Sequence, residues 1–177
     1  MSQEKHTDRD NRGIESVLAK DTPEIPKSER ELIREKVIEK LLSEKSFSKG
    51  DMEFGQVVKV ELDGKKYVSP VDIIIKIDGK RVLMIKCAPG SVVTRENQLL
   101  AAARLLDEYQ IPLACQTNGD EIEVLDVLKG KVIAEGWEKF PTKDELVRMC
   151  GDLKFEPLPE KYRIRESRIL RLYDELT

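Results

Sequence analysis

Lys86 and Asp72 are the charged residues best placed to do chemistry. Lys86 ends an apolar run, after Val82-Leu83-Met84-Ile85, and Asp72 stands directly before Ile73-Ile74-Ile75. An ammonium at such a strand end must reach water, an anion or a carboxylate, because a buried unpaired charge is costly; Asp72 poses the mirror-image problem. The one His, His6, lies in the N-terminal tail, which removes the usual Ser–His or Cys–His nucleophile pair. Cys87, Cys115 and Cys150 are an odd number at wide spacing, which argues against a disulfide framework or a Cys/His zinc centre and for a reducing cytoplasm. Chemistry here must run on carboxylates, Lys, Arg or Tyr.

Whether Asp72 and Lys86 meet depends on the elements that carry them. Phe54–Leu62 leads through Asp63-Gly64 into Lys66–Ile77, and Asp78-Gly79 leads on into Arg81–Cys87. Dipeptides of this kind supply the positive φ of tight hairpins. A plain two-residue Asp78-Gly79 loop pairs Asp72 with Ile85 and turns Lys86 to the other face. A three-residue loop with a left-handed Gly79 pairs Asp72 with Met84, so that Asp72 and Lys86 share one face as diagonal neighbours. The bulged register is the one expected.

A capping box, Ser28 with Glu31, opens a helix to about Lys45 with the apolar stripe Ile33, Val37, Ile38, Leu41, Leu42. Arg34 falls near the middle of that stripe and Glu31 at its edge. The helix from about Thr94 is long enough to be a right-handed crossover, making Ile111–Thr117 parallel to Val82–Cys87. Hairpin strands Glu121–Val127 and Lys131–Ala134 follow, then a helix capped by Thr142 with Glu145. A last helix over about Pro159–Leu176 carries Tyr162, Ile169, Leu172, Tyr173 and Leu176 on one side. The fold class expected is α/β with a mixed central sheet flanked by helices. In such sheets ligands gather beyond the carboxyl end of a central strand where the crossover leaves, here Lys86-Cys87-Ala88-Pro89-Gly90.

The 177 residues suffice for one domain, 28–177, behind a flexible tail, 1–27. Lys+Arg 31 against Asp+Glu 34 gives net charge −3, which excludes a generally basic nucleic-acid coat while leaving room for a local basic groove. No apolar run spans a bilayer, so no membrane association is expected. No P-loop motif is present, so the chain carries no motor of its own.

The stretch from about Ser28 to Gly136 resembles the N-terminal domain of type I restriction enzyme R proteins, a branch of the restriction-endonuclease-like PD-(D/E)xK nucleases. The resemblance is carried by Glu31-Leu-Ile-Arg-Glu-Lys-Val, Val71-Asp72-Ile-Ile-Ile-Lys-Ile-Asp-Gly-Lys, Leu83-Met-Ile-Lys-Cys-Ala-Pro-Gly, Gln98-Leu-Leu-Ala-Ala-Ala-Arg and Thr117-Asn-Gly-Asp-Glu, in that order. The last helix, Arg168-Ile-Leu-Arg-Leu-Tyr-Asp, is similar to the closing segment of short stand-alone relatives. The resemblance implies a site in which an Asp and a Glu hold Mg²⁺ while a Lys helps activate water. Asp72 matches the Asp; Lys86 falls where the Glu belongs and Ala88 where the Lys belongs. Gln98 matches a Gln common in relatives, the Tyr often found after it is Ala102, and Glu31 matches a helix-one Glu that can join the metal.

These departures imply a nucleic-acid-associated domain with a degenerate nuclease site, in which an Asp72–Lys86 ion pair replaces the metal. A working Mg²⁺-dependent DNA nuclease is the alternative, with Asp72 and a migrated Glu96 or Glu31 on the metal and Lys86 as catalytic lysine. A structural homodimer paired through the last helix is a third reading. The partners implied are DNA and other restriction-system or helicase subunits. Arg163, Arg165, Arg168 and Arg171 read as a solvated face shared with Glu160, Glu166 and Asp174, with phosphate contact the alternative.

Overall fold

The computed structural model describes residues 26–174. The expectations for the tail (its flexibility, the short helix at 13–19, the place of His6) and for Leu176 lie outside the described residues. The elements run α1 (Glu29–Ser43), β1 (Met52–Phe54), β2 (Val57–Leu62), β3 (Lys65–Pro70), β4 (Ile73–Ile77), β5 (Lys80–Cys87), α2 (Glu96–Leu105), β6 (Leu113–Thr117), β7 (Ile122–Asp126), β8 (Lys131–Glu135), α3 (Lys143–Met149) and α4 (Glu160–Asp174). Six strands form one mixed sheet in the order β1-β4-β5-β6-β7-β8, and β2 and β3 form a separate two-stranded sheet. The fold is α/β. Both capping boxes close as their sequences dictate, Ser28 with Glu31 and Thr142 with Glu145.

The six-stranded sheet is covered on both faces. Val37 and Leu41 of α1, Leu146 of α3, Trp137 and Phe140 pack with Ile73, Ile75, Ile85 and Cys115 on one side. On the other, α2, Leu170 of α4 and Val58 and Val60 of the small sheet pack with Ile74, Met84 and Ala114. Residues Leu99 to Ala103 of α2 are all buried, as expected for a wholly apolar helix middle enclosed by sheet and α4. β5 and β6 are parallel, with Leu83 beside Leu113 and Lys86 beside Gln116, so the α2 crossover is as the sequence predicts.

Three expectations are corrected. The single strand expected over Lys66–Ile77 is two, because Pro70 cannot donate to a further ladder step. Val71 gives its N–H to the Gln56 carbonyl (2.9 Å), and the chain passes from one sheet to the other between Pro70 and Ile73. The β4–β5 hairpin has a two-residue turn, with Asp78 (φ 50°) and Gly79 (φ 78°) both left-handed and Ile77 facing Lys80. The bulge lies farther in: Lys76 faces Arg81 while Ile75 faces Leu83, leaving Val82 as the extra residue. Ile73 therefore faces Ile85, a register two residues from the one expected. In the last helix, Glu166, Ser167 and Leu170 are buried, whereas Tyr162 and Leu172 are exposed.

Candidate functional site

Asp72 sits one residue before β4, 3% exposed, at the end of the sheet where β5 finishes. Its carboxylate is gripped by Arg30 from the first turn of α1: Nε donates to Oδ1 (2.9 Å) and Nη2 to Oδ2 (2.8 Å). The Cys87 N–H also donates to Oδ2 (2.8 Å). Three charge-assisted bonds, two from one planar fork, fix this carboxylate. Burial pushes the Cys87 thiol far up, and the Asp72 carboxylate adds to it against the pull of Arg30 and Arg34. Cys87 is a core thiol and no nucleophile, as is fully buried Cys115.

The expected Asp72–Lys86 ion pair is not formed. Lys86 Nζ donates to Ser69 Oγ (3.0 Å), and both residues are buried. The segment Ser69–Asp72 thus receives two cations, Lys86 on Ser69 and Arg30 on the Pro70 carbonyl and the Asp72 carboxylate. The reason is local: Arg30 reaches both carboxylate oxygens at once, a geometry a Lys ammonium cannot match.

Lys86 also opens a row of buried polar residues across the sheet. Register places Lys86 of β5 beside Gln116 of β6, Gln116 opposite Glu123 of β7, and Glu123 opposite Glu135 of β8. Lys86, Gln116 and Glu123 are all buried. Burial pushes the Glu123 carboxyl up, and the charges of Glu96, Glu135 and Glu121 push the same way.

The remaining candidates are dispersed. Glu31 is exposed and accepts the Ser28 N–H (2.8 Å), closing its cap. Glu96 is half-buried at the start of α2, where Glu123 feels its charge. Gln98 is buried one turn into the same helix, as is Ala102 farther along, and Ala88 presents a buried methyl just past β5. Among the described residues no three His, Cys, Asp or Glu side chains stand close enough to hold a metal ion. Sequence reasoning missed Arg30, Ser69, Gln116 and Glu123. Arg30 had a signal, since positions 30, 34, 37 and 41 recur on one helix face and Val37 and Leu41 are fully buried. Gln116 and Glu123 had one too, each a polar residue within a mostly apolar strand.

No curated protein and no solved structure matches the chain. A family model described as type I restriction enzyme R protein N terminus matches residues 29–141, which takes in α1, all eight strands and α2. That is well over half of the sequence, and the matched span contains Arg30, Asp72, Lys86 and Glu123. The chain belongs to the family of type I restriction enzyme R protein N-terminal domains.

Proposed function

We propose that this chain is a restriction-endonuclease-like domain of the PD-(D/E)xK kind that works in a restriction system as a nucleic-acid-associated module, its nuclease site having become a structural ion pair. The observation that carries the reading is the Arg30–Asp72 fork: Asp72, the retained member of the family's Asp and Glu pair, is buried, with Oδ2 accepting from both Arg30 and Cys87. Mg²⁺ held by protein needs carboxylate oxygens with free lone pairs, commonly from one or two residues. Here the second family carboxylate is Lys86 and the family lysine is Ala88, so these residues do not fit the ion. DNA association is supported by family membership and by Lys161, Arg165 and Arg168, exposed on α4. Restriction-system or helicase subunits are the partners the reading implies.

Incubation of supercoiled plasmid and single-stranded DNA with Mg²⁺ or Mn²⁺ tests it. The expected result is intact DNA, together with binding by fluorescence anisotropy that weakens as salt rises. Replacing Arg165 and Arg168 by Ala should lower the salt slope by roughly one for each phosphate contact removed. Cleavage that disappears in Asp72→Ala would overturn the reading in favour of a working nuclease. No DNA binding, with a concentration-dependent dimer, would overturn it in favour of a structural module.

A further inference from the structure

The row that starts at Lys86 ends in uncompensated negative charge. Glu123 is 6% exposed, and its Oε2 is buried without a hydrogen-bond partner. Glu135 stands directly opposite on β8, and like charges facing each other across a ladder destabilise it. Glu123 lines a cavity of about 450 Å³ whose walls include Ser91, Glu121, Glu135, Trp137 and Glu138. Among the described residues, no hydrogen bond or ion pair engages the side chains of Glu123, Glu135 or Glu138. The nearest cation along the row, Lys86, lies two strands away, roughly 10 Å, and is turned to Ser69.

The cavity also has the right address. Ser91 and Val93 follow β5 at the start of the crossover, and Glu121 follows β6, so the cavity lies beyond the carboxyl ends of the two parallel strands. A buried carboxylate with an orphan oxygen, beside a second carboxylate on the neighbouring strand and lining the same water-accessible hollow, is arranged to receive a cation.

We propose that Glu123 and Glu135 bind a hydrated divalent cation in this cavity. Among the described residues no third carboxylate is close enough to close a cage, so one or two carboxylates supply the protein ligands and water fills the rest, the coordination habit of Mg²⁺ and Mn²⁺. The ion relieves the Glu123–Glu135 repulsion and offers open positions to an anionic oxygen. The proposal stands apart from the Asp72 reading, because neither Asp72 nor Lys86 takes part.

Mn²⁺ titration of the full chain, read by paramagnetic broadening of amide resonances and by melting temperature, tests it. Broadening should centre on residues 91–93 and 119–123, and the melting temperature should rise with Mn²⁺. Glu123→Gln should melt higher than wild type without metal and lose both responses. Glu135→Gln, at an exposed position that does not endanger folding, should weaken Mn²⁺ binding several-fold. Broadening spread over exposed carboxylates and unchanged in both variants would overturn the proposal. Broadening centred on Asp72 and Cys87 would overturn it as well, and would also count against the Asp72 reading, whereas failure of DNA binding alone would leave this site standing.

Discussion

At the scale of single residues, the Asp72 carboxylate depends on one partner from a distant part of the chain. Its side chain is 3% exposed and Arg30 is 38% exposed, so the pair is half in water. Removing one partner of a fully buried pair costs roughly 3–5 kcal/mol. Solvent screening on the Arg30 side lowers that, and Arg30→Ala should destabilise by about 2 kcal/mol. Arg30→Lys should recover only a part of the loss, since an ammonium cannot donate as a planar fork to both oxygens. Urea denaturation of the three proteins decides it: equal stability of Arg30→Ala and wild type would mean that the fork is not holding the carboxylate.

At the scale of elements, α4 is fastened to α2 by charge as well as by the apolar contact of Leu170. Arg104 of α2 donates Nη1 to Glu166 of α4 (3.1 Å) and Nη2 to the Val127 carbonyl (2.9 Å), and Arg165 also reaches Glu166 (3.0 Å). Glu166 is 1% exposed, so Arg104→Ala leaves its charge buried with a mostly exposed partner and should cost about 3 kcal/mol. The double variant Arg104→Met with Glu166→Leu should regain most of that, because apolar residues of similar volume often replace a buried pair without loss. Amide exchange along α4, faster in Arg104→Ala and restored in the double variant, is the readout; unchanged exchange would mean that α4 docks by other contacts. This packing also shows what could be read from the sequence. Both capping boxes, the turn dipeptides and the crossover were legible because each rests on signals a few residues apart. The inward face of α4 was not, since Glu166 and Ser167 look like solvent-facing residues until Arg104 is placed opposite. The bulge at Val82 was silent because valine suits either register, and the Arg30–Asp72 pair was hidden because it joins the start of a helix to a strand end far along the chain.

At the scale of the whole molecule, two carboxylates, half-buried Glu53 and buried Glu123, pull stability in opposite directions with pH. Glu53 of β1 is tied to Arg81 (2.8 Å) and Lys76 (3.3 Å). Burial alone would raise its carboxyl, but the hydrogen bonds and charges of Arg81 and Lys76 outweigh burial and hold it below the ordinary range. A folded-state value below the unfolded one means that the native state binds fewer protons, so this stabilisation is present above about pH 4.3 and is lost as pH falls through the lowered value. Glu123 behaves the other way. Its carboxyl is raised by burial and by Glu96, Glu135 and Glu121, so the native state binds more protons and stability declines as pH climbs from about 4.3 through the raised value. The metal-free protein should therefore gain melting temperature on leaving strong acid and then decline gently. Glu53→Gln should melt below wild type at pH 7 and converge with it as the acid is strengthened. Glu123→Gln should melt above wild type at pH 7 and meet it below pH 4, where the wild-type carboxyl is already protonated. Circular-dichroism melts from pH 3 to pH 8 separate the two limbs; a Glu123→Gln curve parallel to wild type across that range would mean that the charge at the end of the polar row is compensated by a group other than a proton.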